Sequence, residues 1–335
     1  EYKREKINKK KKFTLSNEQK KSIEALKKFG DTFNVSLLQG VTGSGKTLVY
    51  FERVKKILNS GKQALILLPE IFLTNQFKER FEEFFGFLPA IWHSKIGIKS
   101  KRKIWQGVIN GNLNLVIGAR SSLLLPFKKL GIIVLDEEHD PSYKQDEGII
   151  YHARDMAIAR CSMENIPIHL VSAVPSLETY NNVKKKKYNY TKLSNRYSDY
   201  PLPEAKVINL EKISLKKDQF IADETLALIK NFLEKKDQVL FFLNRRGYAP
   251  FLICKKCGFK HLCPNCSIYL TYHKLIKKLI CHHCGKKVKK EKVCDTDKKD
   301  NCDFRMYGPG VEKIYEELKK IFPKKNIKIF SSDFL

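Results

Sequence analysis

The sequence predicts an α/β protein in which helices cover a parallel β-sheet, and three observations support this. Short apolar runs alternate along the chain with amphipathic segments, which is the pattern of a buried parallel sheet. A glycine-rich string ending in Lys-Thr follows one of these apolar runs and precedes an amphipathic segment. The chain has 335 residues, 42% hydrophobic and 30% charged, a balance typical of globular domains, about two at this length.

The predicted elements begin with a helix. Ser16 and Gln19 have the S-x-x-Q spacing of a capping box, which predicts a helix start, and Gly30 is expected to end that helix. Amphipathic periodicity predicts two further helices between strands, over 48–58 and 74–85. Apolar runs of strand length lie at 35–38, 64–68, 115–117, 132–135 and 168–171.

The chain is expected to have more than one domain. After a basic, Tyr-rich stretch, a second α/β segment begins with a strand-like run at 238–243, has a helix-like run at 310–321 and ends with a strand-like run at 327–330. A cysteine-rich block interrupts this segment, which has too few strands for a complete α/β lobe. We expect a basic linker (1–13), a first lobe (14–183), a junction (184–236), a partial second lobe (237–253 and 304–335) and a cysteine-rich insertion (254–303).

Composition limits the function classes. Lysine and arginine number 64 against 36 acidic residues, a formal net charge of +28, which favours a polyanionic partner such as nucleic acid. An AT-rich genome also produces a lysine excess, so charge alone does not decide. No apolar run is long enough to span a membrane, and the first dozen residues do not resemble a signal peptide, so we expect a cytoplasmic protein without membrane contact. The composition excludes a disordered tail, a collagen and a small disulfide scaffold.

Residues 40–47 read GVTGSGKT and match the phosphate-loop pattern G-x-x-x-x-G-K-[ST]. Glycines allow backbone N–H groups to wrap a phosphate, and the following helix directs its positive end at the same anion. A chance glycine-rich turn does not account for the strand before the string and the helix after it. Lys46 is predicted to reach the β- and γ-phosphates and Thr47 to hold Mg²⁺. The predicted nucleotide-binding residues of this loop are Gly40, Thr42, Gly43, Ser44, Gly45, Lys46 and Thr47.

The predicted strand at 132–135 ends in an acidic box, Asp136-Glu137-Glu138-His139. A carboxylate at this position can hold Mg²⁺ beside the phosphate loop, and the next one can orient and deprotonate an attacking water. Taken alone, the string could be an acidic turn after a core strand. Together with the phosphate loop it predicts Mg²⁺-dependent hydrolysis of a nucleoside triphosphate, with Lys46, Asp136 and Glu137 as catalytic residues.

Eight of the nine cysteines are clustered, and Cys161 alone lies outside the cluster and is expected to be a buried thiol. Repeated C-x-x-C pairs in a chain without a secretory signal predict metal binding rather than disulfides. Eight thiolates can form two closed, tetrahedral, structural Zn²⁺ sites. Spacing does not fix which pairs share an ion, and the last pair is irregular. The predicted ligands are Cys254, Cys257, Cys263, Cys266, Cys281, Cys284, Cys294 and Cys302. The nearby histidines at 261, 273, 282 and 283 are expected mostly at the surface or in contact with the backbone, although His282 or His283 could replace a cysteine as a ligand.

The order of motifs resembles the PriA family of bacterial replication-restart DNA helicases, a branch of superfamily 2. The resemblance covers residues 14–335. It implies a RecA-like P-loop motor lobe with a parallel sheet, followed by a partial second RecA-like lobe that carries a two-zinc, eight-cysteine insertion. The strings that support it are GVTGSGKT at 40–47, LLPEIFLTNQF at 67–77, WHS at 92–94, VIGARSSLLLPF at 116–127, DEEHDPSYKQDEGIIYHARDMAIAR at 136–160, VSAVPSLET at 171–179 and VLFFLNRRGYAPFLICKKCGF at 239–259.

The resemblance also implies roles for single residues. Gln19 matches an adenine-sensing glutamine, in addition to its capping position. Residues 142–154 match an aromatic-rich loop that couples bound single-stranded DNA to hydrolysis, and 120–122 match a motif that contacts the DNA backbone. Residues 172–174 match an S-A-T motif, with Val174 in place of threonine. The DNA contacts implied in this way are Arg120, Ser121, Tyr143, Lys144, Tyr151 and Arg154.

For zinc, the resemblance implies a nested arrangement. Cys254, Cys257, Cys294 and Cys302 would bind one ion, and Cys263, Cys266, Cys281 and Cys284 the other. Relatives carry an arginine-finger motif, Gln-x-x-Gly-Arg-x-Gly-Arg, and no such string occurs in this sequence. We therefore expect the chain to be the middle part of such a helicase.

Three functions are considered. The first is an ATP-dependent 3′→5′ DNA helicase of the replication-restart primosome, which remodels stalled forks so that the replicative helicase can be loaded. It would use ATP, Mg²⁺ and two Zn²⁺, act as a monomer, and bind single-stranded and forked DNA, primosome proteins and single-stranded DNA-binding protein. The second is an ATP- and DNA-binding fragment without productive turnover, because the arginine-finger motif is missing. The third, another superfamily 2 motor, is disfavoured by the eight-cysteine insertion.

Overall fold

The computed structural model divides the chain into two compact units, Glu1–Pro203 and Glu204–Leu335. The residues that the structure describes are 7, 13–69, 74–146, 148–197, 203–213, 215, 219–243, 251–254, 257–273, 276–289, 304–307 and 310–330.

The first unit is built on a seven-stranded sheet in which every neighbouring pair of strands is parallel. The strands of this unit are β1 (Val35–Gly40), β2 (Gln63–Leu67), β3 (Ala90–Trp92), β4 (Leu115–Gly118), β5 (Leu130–Asp136), β6 (Lys144–Gln145), β7 (Tyr151–His152), β8 (Ile168–Ser172) and β9 (Asn189–Leu193). The sheet has the order β3-β4-β2-β5-β8-β1-β9, and β6 and β7 form a separate antiparallel hairpin. The predicted α/β fold and its parallel sheet are confirmed.

Helices precede or connect the strands of this sheet. They are α1 (Asn17–Lys28), α2 (Lys46–Asn59), α3 (Asn75–Phe85), α4 (Ile98–Asn110), α5 (Ala153–Met163) and α6 (Leu177–Lys184). The capping box that predicted α1 is present, because Ser16 Oγ accepts from Gln19 N (3.2 Å) and Ser16 N donates to Gln19 Oε1 (2.9 Å). Cys161 lies within α5 and is fully buried, as expected for a core thiol.

Two apolar clusters pack in the first unit, as the continuous apolar strands predict. One contains an aromatic group in which the ring centroid of Phe51 on α2 lies 5.1 Å from Phe85 and 5.3 Å from Phe84, both on α3. Burying each ring contributes about 1.5–3 kcal/mol. The other cluster contains Tyr143 and Cys161. These two buried clusters hold the central strands, and therefore the residues at the strand ends, in fixed positions.

Two regular elements lie within the predicted junction over 184–236. Strand β9 belongs to the sheet and pairs in parallel with β1, with Ser36 opposite Asn189 and Gly40 opposite Leu193. It is an edge strand of which Leu193 is the buried member, so it lacks the apolar run by which the other strands were recognised. Farther along, helix α7 (Asp223–Glu234) lies inside the same predicted junction.

The second unit combines α7 with small antiparallel sheets. Strands β10 (Phe251–Cys254) and β14 (Phe304–Tyr307) pair with each other, and β11 (Thr271–His273), β12 (Lys278–Ile280) and β13 (Lys287–Lys289) form a three-stranded sheet. Helix α8 (Val311–Ile321) begins after Gly310, close to the helix predicted over 310–321. Ile221, Ile229, Ile314 and Leu318 form a small core within this unit.

The runs at 238–243 and 327–330, which were predicted as strands, form no strand in the described part of the chain. Leu240 and Phe242 are both 86% exposed. An apolar run becomes a buried strand only where a neighbouring strand pairs with it, and the described residues of this unit offer no parallel partner. No helix among the described residues combines the length and the apolar character that crossing a membrane requires.

Candidate nucleotide site and zinc centre

The phosphate loop connects β1 to α2, as predicted. Gly43 and Gly45 have φ values of 83° and 76°, in the left-handed region that favours glycine. Lys46 Nζ donates to the carbonyl of Gly40 at 2.9 Å, so the lysine side chain folds back over the loop. A Cβ on Gly40 would lie 2.6 Å from Ser44 Oγ, so any side chain there would collide with the loop. The local geometry is that of an anion cradle at a helix N-terminus.

Gln19 lies against this loop. Its side chain is fully buried, its Oε1 accepts from the Ser16 backbone, and its Nε2 donates to the carbonyl of Ser44 at 3.0 Å. The structure thus brings the predicted adenine-sensing residue to the loop, and both ends of its amide are engaged by the protein. Contact with a base stays a prediction.

The acidic box follows β5 and is joined to α2 by a hydrogen bond. Tyr50 Oη donates to Asp136 Oδ2 at 2.9 Å, and Tyr50 is one helical turn beyond the predicted Mg²⁺ ligand Thr47. Burial, together with the neighbouring negative charge of Glu137, raises the pKa of Asp136 to about 6. Glu137 has φ 48°, a left-handed conformation that costs a non-glycine residue about 1–3 kcal/mol. Carboxylate and hydroxyl oxygens are ligands that suit Mg²⁺, so this donor set fits the ion.

The raised pKa of Asp136 predicts a pH-dependent stability. A carboxyl group with a raised pKa favours folding while protonated, and this contribution is lost as the pH rises through about 6. We expect Asp136→Asn to raise the free energy of unfolding relative to the parent chain by about 3 kcal/mol at most at pH 8, and by about half of that at pH 5. Thermal unfolding in Mg²⁺-free buffer at both pH values measures this. A stability difference of the same size at pH 5 and pH 8 would contradict it.

A second connection joins the acidic box to the segment after β8. His139 Nδ1 lies 2.8 Å from Ser172 Oγ and 3.7 Å from Glu137 Oε2. Ser172 Oγ also accepts from the backbone N of Val174 at 3.0 Å. Ser172, the first residue of the S-A-V segment, therefore joins this segment to the acidic box. The side chain of Val174, the third residue, is 70% exposed and has no hydroxyl.

Glu138 is the centre of a buried hydrogen-bond network that sequence reasoning missed. Its carboxylate is fully buried and accepts from Ser176 N (2.7 Å), Thr179 Oγ1 (3.0 Å) and Arg154 Nη1 (3.2 Å). The sequence did contain one signal for this network, a third acidic residue directly after a predicted buried strand. A carboxylate that is buried there needs hydrogen-bond partners. The network joins the acidic box to α5 and α6.

Arg154, a predicted DNA contact, lies in a buried ion pair in this structure. The residue is 8% exposed and its guanidinium is bonded to Glu138 and to Asp155 Oδ1 (3.1 Å). These carboxylates raise the pKa of Arg154 against the opposing effect of its own burial. The reason is electrostatic, because a buried carboxylate such as Glu138 requires a buried cation beside it.

Tyr143, for which the resemblance implies base stacking, is buried as well. Tyr143 is 1% exposed and its Oη donates to the backbone carbonyl of Asp136 at 2.7 Å. Burial raises the pKa of this tyrosine well above its usual value. The ring packs in the core beneath the acidic box because its hydroxyl finds a partner there. Tyr143 therefore supports the position of Asp136 instead of facing a ligand.

The remaining predicted DNA residues lie near the β6–β7 hairpin. Arg120 donates to the carbonyls of Ser142 (3.2 Å) and Lys144 (2.6 Å), while Trp92 Nε1 donates to Ser121 Oγ at 3.2 Å. Lys144 is exposed, and Tyr151 is partly buried. The hairpin also exposes two side chains that sequence reasoning did not single out, Ile149 (80%) and Ile150 (71%). Their contact with DNA is a prediction.

Four of the predicted zinc ligands converge in the second unit. The sulfur atoms of Cys263, Cys266, Cys281 and Cys284 all lie within 4.8 Å of one another. The distance is 3.3 Å from Cys266 to Cys281 and 3.5 Å from Cys263 to Cys284, close to the roughly 3.8 Å between sulfurs on a tetrahedral Zn²⁺. The donor set and its spacing fit one zinc ion.

The first C-x-x-C pair has the same turn as these two. Gly258 N donates to Cys254 O at 2.8 Å, as Ser267 N does to Cys263 O (2.9 Å) and Gly285 N to Cys281 O (2.8 Å). Cys254 and Gly258 therefore share the closing hydrogen bond of the other two C-x-x-C turns. Cys294 and Cys302, the other predicted ligands of that ion, lie outside the described residues.

Two of the histidines near the cysteines, His261 and His273, are buried. His261 stacks on Phe304, with ring centroids 5.0 Å apart. His273 is 3% exposed, its Nε2 lies 3.0 Å from His282 Nε2, and its Nδ1 lies 3.4 Å from Glu312 Oε1 on α8. These contacts attach the cysteine-rich sheet to helix α8.

Two family models match the chain. DEAD/DEAH box helicase matches residues 16–183, which is half of the chain, and the PriA DNA helicase Cys-rich region (CRR) domain matches residues 263–289. The first match covers the phosphate loop and the acidic box, and the second contains the four converging cysteines. Both matches thus include the sites described above.

Curated relatives named replication restart protein PriA align with almost the whole chain. The protein of Rickettsia conorii is 46% identical over 319 residues, 95% of this chain and 49% of the relative. Those of Haemophilus influenzae and Bacillus subtilis are 40% and 36% identical, and the alignments cover 95% and 93% of this chain but 43% and 39% of the relatives. The chain thus spans about half or less of the length of these relatives.

Solved structures show more distant likeness. RecG bound to a three-way DNA junction has a TM-score of 0.41 at 22% identity, covering 58% of this chain and 25% of RecG. The helicase MrfA has a TM-score of 0.45 at 19% identity, covering 70% of this chain and 36% of MrfA. The family matches and the curated relatives confirm the resemblance noted in the sequence: the chain belongs to the DEAD/DEAH box helicase family and is homologous to the replication restart proteins PriA.

Proposed function

We propose that this chain is the ATP-hydrolysing part of a 3′→5′ DNA helicase that acts in replication restart, remodelling stalled forks so that the replicative helicase can be loaded. The observation that carries the proposal is the hydrogen bond from Tyr50 to Asp136, which aligns the acidic box with the phosphate-loop helix. The names of the relatives support the replication-restart context.

In the proposed mechanism, the loop N–H groups and Lys46 bind the phosphates of ATP. Thr47 and Asp136 hold Mg²⁺, which when bound neutralises charge on those phosphates. Glu137 orients the attacking water and accepts its proton. His139 and Ser172, 2.8 Å apart, pass the state of the acidic box to the segment after β8.

We further propose that DNA binds at the β6–β7 hairpin. Lys144 suits a phosphate contact, and Tyr151, Ile149 and Ile150 offer apolar surface to unstacked bases. Because Tyr143 in the preceding turn donates to the carbonyl of Asp136, movement of the hairpin would reach the acidic box directly. By this route, bound DNA would change the rate of hydrolysis.

The cysteine-rich region is proposed to hold two structural zinc ions, one on the four converging cysteines and one on Cys254 and Cys257 with Cys294 and Cys302. Single-stranded DNA-binding protein and primosome proteins are proposed as partners of a monomer, in the cytoplasm.

ATP hydrolysis by this chain, measured with and without single-stranded DNA, tests the proposal. We expect single-stranded DNA to increase turnover and forked DNA to do so at lower concentration. Lys46→Ala removes the phosphate-binding charge, so it should abolish both ATP binding and turnover. Unchanged ATP binding in Lys46→Ala would refute the site. ATP binding without any turnover by the parent chain would support the ATP- and DNA-binding fragment instead.

Variants of the hairpin refine the same measurement. Lys144→Ala and Ile149→Ser should reduce the stimulation by DNA and leave the DNA-free rate unchanged, since neither side chain contacts the acidic box. Lys128→Ala, which removes another exposed lysine of the same unit, is the charge-matched control and should behave as the parent. Equal loss in Lys144→Ala and Lys128→Ala, with none in Ile149→Ser, would show that only overall charge matters.

A further inference from the structure

The segment after β9 crosses the phosphate loop. Leu193 O accepts from Val41 N at 3.2 Å, and Tyr197 N donates to Gly43 O at 2.9 Å. Tyr197 Oη also donates to the carbonyl of Thr14 at 2.6 Å. Residues 193–197 are therefore held against the loop from both ends.

Glu18 fixes the middle of this segment. Its carboxylate accepts from Ser194 N (3.2 Å), Asn195 N (3.1 Å) and Asn195 Nδ2 (3.1 Å). The next residue in α1, Gln19, donates to the loop at Ser44. Helix α1, the crossing segment and the phosphate loop are thus joined by hydrogen bonds.

Arg196 is the residue that this arrangement places on the loop. A Cβ built on Gly43 would lie 3.8 Å from Arg196 Cγ and 3.9 Å from both its Cδ and its Nε, so the arginine stem covers the glycine. The Nε atom is buried and has no hydrogen-bond partner among the residues that the structure describes. Within the same residues no carboxylate forms an ion pair with it, in contrast to Arg53 and Arg154.

A cation in this position is electrostatically unfavourable unless an anion is bound. Lys46 and the N-terminus of α2 already make the loop positive. A buried guanidinium nitrogen without an acceptor adds a desolvation cost. A polyphosphate at the loop would offset the positive charge and supply an acceptor for the guanidinium nitrogen. A planar guanidinium can donate two parallel hydrogen bonds to phosphate oxygens.

We propose that Arg196 binds the polyphosphate of the nucleoside triphosphate, as a nucleotide-binding residue outside the phosphate loop and the acidic box. The inference rests on the proposed function, since it requires that the loop binds ATP. It adds a cation from the segment that follows the edge strand β9 to the nucleotide site, at a position that no phosphate-loop pattern includes.

Binding of ATP and of inorganic tripolyphosphate, measured by calorimetry, tests the inference. Arg196→Ala should weaken the binding of both ligands by about 10-fold or more, as expected for the loss of a charge-assisted hydrogen bond. Arg196→Gln keeps the aliphatic stem over Gly43 and removes the charge, so it should weaken both similarly and without loss of folding. Lys192→Ala, which removes an exposed charge from the preceding strand β9, should bind both ligands as the parent does.

The outcomes separate this inference from the proposed function. If Lys46→Ala loses ATP and tripolyphosphate while Arg196→Ala and Arg196→Gln keep both, the inference is overturned and the nucleotide site stands. If the Arg196 variants lose ATP but keep tripolyphosphate, the arginine contacts the base and the inference is again overturned. If Lys46→Ala keeps both ligands, the nucleotide site itself fails.

Discussion

Glu137→Gln is expected to lower ATP turnover by a factor of about 10²–10⁴ and to leave the affinity for MgATP unchanged. Glutamine has nearly the same shape as glutamate but cannot accept a proton from water. The residue follows Asp136, the proposed magnesium ligand, and its Oε2 lies 3.7 Å from His139 Nδ1. Phosphate release gives the turnover, and calorimetry gives the affinity. Turnover equal to that of the parent chain would exclude Glu137 as the base.

Glu138→Gln is the matched control, since it changes the neighbouring carboxylate in the same way. Glu138 is fully buried and bonded to Arg154, so removing its charge leaves a buried cation without its main partner. Breaking a buried pair in this way costs about 3–5 kcal/mol. We therefore expect Glu138→Gln to lower the unfolding temperature, while Glu137→Gln, whose carboxylate is partly exposed, does not. A thermal unfolding curve of each variant distinguishes catalytic loss from structural loss.

Removing zinc is expected to unfold the cysteine-rich region and to leave the first unit folded. The core of this region consists of Leu252, Cys263, Leu270, Tyr272, Leu279 and Cys281, which is too small to stabilise it alone. Metal binding supplies about 10–16 kcal/mol in small zinc domains. Chelation followed by limited proteolysis should therefore give cleavage within 254–289. A protease pattern that chelation does not change would refute structural zinc.

Single cysteine variants assign the ions. Cys281→Ser should lose one zinc per chain by elemental analysis, because its sulfur lies 3.3 Å from Cys266 in the converging set. Cys254→Ser tests the proposed second ion in the same way. Cys161→Ala is the control, because Cys161 lies in α5 of the first unit and burial raises the pKa of its thiol far above the usual range. Zinc loss in that variant would show that the measurement reports unfolding.

The sequence alone predicted those features that depend on residues close together in the chain. The phosphate loop was recognisable because two of its glycines adopt backbone conformations that other residues resist, and because a strand and a helix flank it. The C-x-x-C pairs were recognisable because a tight turn presents both sulfurs to one ion. The acidic box was recognisable at the end of an apolar strand, and the family resemblance rested on the order of these motifs.

Tertiary structure decided which polar and aromatic side chains are buried. Tyr143 and Arg154 are residue types that often contact DNA. In the structure, however, Tyr143 packs beneath Asp136 and Arg154 pairs with Glu138. Strand β9 joins the sheet although it has no apolar run, and it brings Arg196 onto Gly43, more than a hundred residues earlier in the chain. Burial results from contacts between distant segments, and local sequence patterns do not encode those contacts. For this reason the sequence predicted the chemistry of the site, whereas only the fold showed which neighbouring residues hold the site in place.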